Sequence, residues 1–237
     1  MNNIKTCAVA AALCGLTLGA SALTVSAGGL SRTVGDDVIF DSVNQRQWLG
    51  ADVTKGLTYT QTLAELASGG RFAGYQIARS ADALMFIGTL WGSSNPGCNS
   101  DGTRTIQCGG QNVGDLSAVF GDSYSTNTHS VGSYNQDYMW FLTDTTSYYD
   151  GSPMAGIAYV TDYADYYTGA RQQNAYAHDW SSIQDTQYYS QGGNAIGWLL
   201  YREGNAVPEP GTLALAGLAV AGLVFARRRQ AAARAAG

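Results

Sequence analysis

The feature that most constrains this 237-residue chain is an uncharged apolar run near its C-terminus, which extends from Gly211 to Ala226. The segment Val207-Pro208-Glu209-Pro210 precedes the run, and Arg227, Arg228 and Arg229 follow it directly. Prolines interrupt regular structure, the apolar residues favour hydrocarbon, and the arginines stay in water. The pattern therefore predicts a single transmembrane helix at 211–226 with a basic cytoplasmic end, and not the last element of a globular domain.

The N-terminus has the order of a secretory signal peptide. A positive charge at Lys5 is followed by an apolar stretch from Cys7 to Ala20, and then by two small-x-small cleavage sites that end at Ala22 and Ala27. A retained membrane anchor is the alternative, but the apolar stretch is shorter than the roughly 20 residues that a spanning helix needs. We therefore expect this segment to be removed on export.

These two ends predict three parts: a signal peptide at 1–27, one extracellular domain at 28–204 and a sorting tail at 205–237. Between Gly28 and Ala206 the chain has eight Arg or Lys against seventeen Asp or Glu, which is a formal charge of −9, whereas the whole chain carries −5. An acidic domain repels phosphate backbones, so we expect no nucleic-acid partner.

Two cysteines fall within the predicted extracellular domain, Cys98 and Cys108, and they enclose a segment rich in Gly, Ser and Asn. In an exported protein, an isolated pair at this separation most simply forms one disulfide. Closing such a ring contributes about 2.8 kcal/mol in the chain-entropy model. The alternative, a metal site, needs more ligands than this segment offers.

The first half of the domain predicts two helices among short strands. Thr58 and Gln61 have capping-box spacing at the start of a helix of about three turns, and Ser80 is the expected N-cap of a second helix. Strands are expected at Asp37–Asp41, Gln47–Val53 and Phe72–Ala78, and a long surface loop at Gly92–Gly114.

The second half predicts an antiparallel sheet, because four β-branched and aromatic segments alternate with turn-forming residues: Tyr138–Thr143, Ala155–Thr161, Asn174–Trp180 and Ala195–Arg202. We therefore expect an α+β fold, mainly antiparallel β with two N-terminal helices. Thirteen of the fifteen tyrosines lie in this half. Neighbouring side chains on a strand face opposite ways, so each tyrosine doublet is expected to send one ring into the core and one outward.

Outward tyrosines are candidate glycan contacts, because a phenol ring stacks on the C–H face of a sugar while its hydroxyl forms hydrogen bonds. A purely structural role, covering the sheet, is the alternative. The candidate contacts are the members of the three doublets: Tyr148, Tyr149, Tyr166, Tyr167, Tyr188 and Tyr189.

No catalytic motif is present: the chain lacks Gly-x-Ser-x-Gly, His-Glu-x-x-His and a phosphate-binding glycine motif, and it has two histidines, His129 and His178. Asp179 follows His178, but adjacent residues on a strand point apart. We expect no enzymatic activity, no catalytic residue, no metal and no cofactor. A hydrolase with a carboxylate pair assembled from distant segments remains an alternative.

Two acidic segments offer oxygens of the kind that calcium prefers, Asn99-Ser100-Asp101-Gly102 and the pair Asp162 and Asp165. Neither follows a twelve-residue EF-hand pattern. Solvated turns are therefore the default interpretation of both segments.

The tail resembles the PEP-CTERM sorting signal of exported proteins from Gram-negative bacteria that make exopolysaccharide. The resemblance lies in Val207-Pro208-Glu209-Pro210-Gly211, the run from Thr212 to Ala226 and the three arginines. It implies a partner, the membrane enzyme exosortase, which would cleave near the Pro-Glu-Pro segment after the tail has held the protein in the inner membrane. The extension Gln230–Gly237 departs from the usual pattern, in which such signals stop soon after their arginines.

The extracellular domain resembles the soluble domains that precede such tails, through segments such as Gly74-Tyr75-Gln76-Ile77-Ala78 and Gly197-Trp198-Leu199-Leu200-Tyr201-Arg202. Its order of two helices, a long loop and a closing strand is also similar to C-type-lectin-like domains. The resemblance implies an exported surface or matrix protein with a structural or adhesive role. A module that binds exopolysaccharide and a secreted hydrolase are the alternatives.

Overall fold

Two β-sheets and four short helices make up the part of the chain that the computed structural model describes, namely residues 22–92, 97–110, 115–123, 126–129, 132–165, 167–168, 171–183, 186 and 195–204. The first sheet has the strand order β1-β2-β3-β4-β13-β5, and all its pairs are antiparallel. Its strands are β1 (Thr24–Ala27), β2 (Leu30–Thr33), β3 (Val38–Asp41), β4 (Arg46–Leu49), β5 (Gln76–Ile77) and β13 (Leu200–Glu203).

The second sheet is dominated by three long strands and has the order β12-β9-β10-β11-β7-β6, with β8 also paired to β9. The pairing is antiparallel except between β12 and β9. The predicted antiparallel sheet is therefore confirmed. Its strands are β6 (Cys98–Ser100), β7 (Ile106–Gly110), β8 (Thr126–His129), β9 (Gly132–Thr146), β10 (Pro153–Asp165), β11 (Arg171–Ser182) and β12 (Gly197–Trp198).

The described helices are α1 (Ala51–Thr54), α2 (Tyr59–Leu66), α3 (Ser80–Trp91) and α4 (Leu116–Phe120). The capping box of α2 is confirmed, because the Gln61 N–H donates to Thr58 Oγ1 at 3.2 Å and the Thr58 N–H donates to Gln61 Oε1 at 2.9 Å. The helix has eight residues, fewer than the three turns expected. The expected N-cap of α3 was wrong: Arg79 takes that position, and its N–H donates to Asp82 Oδ2 at 3.0 Å.

Three further expectations are corrected. The strand expected at Gln47–Val53 ends at Leu49, and Ala51 begins α1. Of the strand expected at Phe72–Ala78, Gln76 and Ile77 form β5, after a turn in which Gly74 has φ +89°. The loop expected at Gly92–Gly114 contains the β6–β7 hairpin, because Ile106 and Cys108 alternate into the core and extend the sheet beside β11.

Hydrophobic side chains cover parts of both faces of the second sheet. On one face, α3 packs Phe86, Leu90 and Trp91 into a cluster with inward residues of β9, β10 and β11 such as Phe141 and Val160. We call this the inner face. On the opposite, outer face, a second cluster joins residues of both sheets with the α1–α2 segment: Leu49, Phe72, Trp140, Ile157, Trp198 and Leu200. Strands β9 and β10 are therefore buried from both sides over part of their length.

The first described strand lies inside the segment expected to be a signal peptide. β1 pairs with β2, Ala27 is 2% exposed and Val25 packs against the inner-face cluster. Both small-x-small sites were candidates for cleavage, and cleavage after Ala27 would remove this strand. Cleavage after Ala22 would leave β1 in place.

Candidate functional site

A line of three tyrosines crosses the outer face of the second sheet. Tyr159 on β10 pairs with Tyr138 on β9 and with Tyr176 on β11. Residues in direct register project from the same face of a sheet, so the three rings are neighbours, with centroid separations of 5.2 Å and 4.6 Å. We call Tyr138, Tyr159 and Tyr176 the tyrosine row. All three side chains are half-buried.

The rings of the tyrosine row support one another. Tyr159 and Tyr176 are stacked with an interplanar angle of 15°, and Tyr138 is tilted by 31° against Tyr159. Burial raises the pKa of the Tyr159 hydroxyl above its ordinary value, and the neighbouring Tyr176 makes a smaller contribution in the same direction. Because Tyr159 covers one face of the Tyr176 ring, the opposite face is directed towards β7, where Gln107 is the register partner of Tyr176.

A groove with a volume of about 450 Å³ lies between the end of the tyrosine row and the β6–β7 hairpin. Gln107 Nε2 donates to the hydroxyl of Tyr176 at 3.5 Å, within this groove. We call it the hairpin groove. Its side chains combine one aromatic ring with amides, hydroxyls and an imidazole: Asn99, Ser100, Thr105, Gln107, Tyr176 and His178.

The hairpin that forms one wall of the groove is held at both ends. Cys98 and Cys108 are in register and form the predicted disulfide, which is confirmed. At the turn, Asp101 Oδ1 accepts hydrogen bonds from the N–H groups of Thr103, Arg104 and Thr105 at 2.8, 2.7 and 2.9 Å. These three bonds hold the pKa of the Asp101 carboxyl well below its usual range, and the bond from the Arg104 N–H has the largest effect.

Two of the three carboxylates considered for calcium cap turns, and the third, Asp162, lies within β10. Asp101 closes the β6–β7 turn as described, and Asp165 Oδ1 accepts from the N–H groups of Tyr167 and Thr168 at 2.9 and 2.7 Å. Asp162 Oδ2 accepts from Gln173 Nε2 at 3.4 Å. Within the described ranges, no group of three or more His, Cys, Asp or Glu side chains is arranged to hold a metal ion.

His178 contacts the backbone of Asp179. His178 Nδ1 contacts the carbonyl oxygen of Asp179 at 2.9 Å, so Nδ1 carries the proton in this contact because a carbonyl oxygen accepts only. The Asp179 carboxylate lies 3.9 Å from Arg104 Nε. Burial raises the pKa of Asp179, and Arg104 acts in the opposite direction. The side chain of His129 lies outside the described part of the structure.

The first tyrosine doublet lies in a turn and not in a strand. Tyr148 and Tyr149 connect β9 to β10, are 97% and 95% exposed, and contact each other edge to face at 5.8 Å. The expectation of one inward and one outward ring was therefore wrong for this doublet, because a turn does not alternate its side chains as a strand does. Tyr167 is also in a turn and is 80% exposed.

The remaining predicted contacts and the sorting signal lie outside the described residues: Tyr166, Tyr188, Tyr189, Val207, Pro208, Glu209, Pro210, Arg227, Arg228 and Arg229. None of the described helices combines the length and apolar character needed to cross a membrane. The helix predicted at 211–226 is not among them.

A second cavity, of about 430 Å³, adjoins an ion pair between the buried Arg32 and the exposed Asp52. Arg32 Nη2 lies 2.8 Å from Asp52 Oδ2, and Arg32 Nε donates to the Asp36 carbonyl oxygen at 2.8 Å. Asp137, in the same cavity, accepts from the Ser123 N–H at 2.9 Å. The contacts of Arg32 join the first sheet to α1, and the contact of Asp137 joins β9 to the segment after α4. These charged side chains therefore hold parts of the fold together.

Sequence reasoning missed the tyrosine row and selected the doublets. The available signal was that Tyr138, Tyr159 and Tyr176 each fall inside a predicted strand, whereas the doublets adjoin Asp, Gly and Ser residues typical of turns. Which tyrosines become neighbours depends on the register of three strands, and a single sequence does not give that register.

Comparison with known proteins identifies the tail. A family model of the PEP-CTERM protein-sorting motif matches residues 206–230, which include the Pro-Glu-Pro segment, the apolar run and the arginines. The chain is therefore an exported protein with a C-terminal sorting signal directed to exosortase. It is a PEP-CTERM protein. No curated protein and no solved structure matches the chain.

Proposed function

We propose that this PEP-CTERM protein is a non-enzymatic component of the cell surface or extracellular matrix, with a structural or adhesive role. The sorting motif at 206–230 carries the proposal, because it follows a mostly antiparallel β domain with a disulfide, as suits a protein that works outside the cytoplasm. The acidic character of the domain supports its solubility outside the cytoplasm.

The route to the surface follows from the tail. The signal peptide exports the domain, and the run from Gly211 to Ala226 then holds the protein in the inner membrane with its arginines on the cytoplasmic side. The run is shorter than a typical span, and arginine side chains that extend to the interface compensate for this. The two prolines keep the segment before the membrane extended and accessible to exosortase.

The experiment compares the intact chain with a variant in which Pro208, Glu209 and Pro210 are replaced by alanine, both expressed in an exosortase-bearing host. We expect the intact chain to lose its tail mass and reach the surface or matrix, and the variant to remain full length in the membrane fraction. Arg234→Ala is the matched control, because this arginine lies outside the matched motif. Identical processing of all three proteins would refute the sorting route.

The role after processing needs its own measurement. A deletion strain is expected to form a weaker matrix, and purified processed protein is expected to restore it when added from outside. We expect no release of reducing ends when the protein is incubated with the matrix polysaccharide of its host. Release of reducing ends would instead support the secreted hydrolase. A specific observation, the tyrosine row beside a polar groove, favours the glycan-binding alternative.

A further inference from the structure

We propose that the hairpin groove binds a neutral polysaccharide chain, with the face of Tyr176 opposite Tyr159 as the surface on which a sugar ring stacks. This inference rests on the proposed adhesive role and gives it a site. Neither the groove nor Tyr176 is part of the sorting motif, which begins at residue 206, whereas the last residue that lines the groove is His178.

The aromatic part of the site is one ring with a fixed orientation. Tyr176 is stacked on Tyr159 at a centroid separation of 4.6 Å, and Tyr159 is in turn supported by Tyr138 at 5.2 Å. Tyr159 does not cover the face of Tyr176 on the β7 side, where Tyr176 lines the groove and Gln107 Nε2 donates to its hydroxyl. A ring that is already held loses little side-chain entropy when a sugar binds.

The polar part of the site faces the same groove. Asn99 and Gln107 supply amide groups that both donate and accept, and Thr105 supplies a hydroxyl. All three residues are exposed, on the β6–β7 hairpin, and Asn99 and Gln107 are register partners. Sugar hydroxyls also donate and accept, so amides and hydroxyls around one aromatic face form a set complementary to a pyranose ring.

The hairpin holds these groups in place before a ligand arrives. The Cys98–Cys108 disulfide fixes its open end, and the three bonds to Asp101 Oδ1 fix its turn. Asp101 lines the groove, but that oxygen is already committed to the turn. A wall that does not have to be ordered on binding costs less free energy than a flexible loop.

Charge selects the class of polysaccharide. The domain carries a formal charge of −9, and one of the acidic residues in that sum, Asp101, lines the groove. An anionic chain such as a polyuronate is therefore repelled over the whole approach to the site, whereas a neutral chain is not. Arg104, on the same hairpin, is 3.9 Å from Asp179, which offsets its charge.

The test uses processed protein purified from an exosortase-bearing host, in affinity gel electrophoresis with laminarin, galactomannan and dextran as neutral probes and alginate as the anionic probe. We expect retardation by at least one neutral probe and none by alginate. With the retained probe, Tyr176→Ala is expected to lower affinity at least about tenfold, and Tyr176→Phe to stay within about threefold, because the stacking face remains. Tyr149→Ala tests the competing candidate from the sequence, an exposed tyrosine in the turn between β9 and β10 and outside the groove, and we expect it to bind like the unchanged protein.

Gln107→Ala provides a second test that keeps all three rings of the tyrosine row, since Gln107 is exposed and the change removes its hydrogen bond to the Tyr176 hydroxyl. We expect a loss of affinity of about threefold to tenfold. Near-ultraviolet circular dichroism checks that each variant is folded. If Tyr176→Ala does not fold, the other two variants decide. The assignment of the glycan to the hairpin groove is overturned if Gln107→Ala binds with unchanged affinity while Tyr149→Ala loses affinity.

The other outcomes separate the site from the proposed function. Absence of binding to every neutral probe, or preference for alginate, overturns the groove proposal, while the matrix-restoration experiment still decides the structural role. Sedimentation analysis adds one more outcome: self-association that Tyr176→Ala abolishes would assign the groove to a second copy of the chain and overturn its assignment to a glycan.

Discussion

Gly156 provides the sharpest test of how the second sheet packs. It lies on β10 directly opposite Phe141 on β9, and the buried ring of Phe141 covers it. A Cβ atom built on Gly156 would lie 2.1 Å from Cζ and 2.3 Å from Cε2 of that ring. Carbon atoms in contact are normally about 3.5–4.0 Å apart, so Gly156→Ala requires the ring to move.

The cost follows from the burial of Phe141. The ring is fully buried in the inner-face cluster, so it cannot swing into solvent and has to adopt a strained rotamer or displace its neighbours. Overpacking of this kind costs about 1–3 kcal/mol. A domain of this size loses about 2–4 °C of melting temperature per kcal/mol, so we expect the melting temperature of Gly156→Ala to fall by about 2–12 °C.

Gly88→Ala in α3 is the matched control. A Cβ at Gly88 would meet Ile106 Cδ1 at 3.7 Å, which is ordinary contact, and alanine is the better helix former by about 1 kcal/mol. Urea unfolding is expected to show Gly88→Ala slightly more stable and Gly156→Ala clearly less stable than the original chain.

The double variant Gly156→Ala with Phe141→Leu is expected to be less destabilised than the sum of the two single variants, because the smaller side chain makes room for the new methyl group. Equal stability of Gly156→Ala and the original chain, or strict additivity in the double variant, would refute the packing described for β9 and β10.

Three further predictions concern the N-terminus of the exported protein, the Cys98–Cys108 disulfide and the turn of the β6–β7 hairpin. N-terminal sequencing of the exported protein is expected to begin at Leu23, because cleavage after Ala27 would remove β1; a mature chain beginning at Gly28 would contradict this pairing. Replacing Cys98 and Cys108 by serine is expected to lower the free energy of unfolding by about 2.8 kcal/mol, measured in urea without reductant, and an unchanged value would count against the ring-closure argument. The folded pKa of Asp101 is lower than its ordinary value of 3.8, so its contribution to stability is present above about that pH and is lost as the pH falls further. Urea midpoints between pH 5 and pH 2 are expected to fall less steeply for Asp101→Asn than for the original chain, and parallel curves would contradict the role given to this carboxylate.

Local chemistry made several elements readable from the chain. The capping box of α2 needs only Thr58 and Gln61 three residues apart, and the disulfide needs only an isolated cysteine pair in an exported protein. The segments between 138 and 202 carry β-branched and aromatic residues in short runs, and the structure places strands in all four of them. Each of these features depends on residues close together in sequence.

Register and packing were not readable in the same way. Gly92–Gly114 has the composition of a loop, yet its described part forms a hairpin because Ile106 and Cys108 meet Ala177 and Ala175 of β11 across the sheet. Similarly, the doublet Tyr148-Tyr149 has strand-forming residues, yet it falls where β9 turns back into β10.

The sequence by itself therefore determined where this protein is sent, because a sorting signal is recognised as a short linear segment whose order of prolines, apolar residues and arginines is complete in the chain. Only the tertiary structure decided which tyrosines form a surface. Tyr138, Tyr159 and Tyr176 are 17 or more residues apart, and the pairing of three strands is what places the Tyr159 ring about 5 Å from each of the other two.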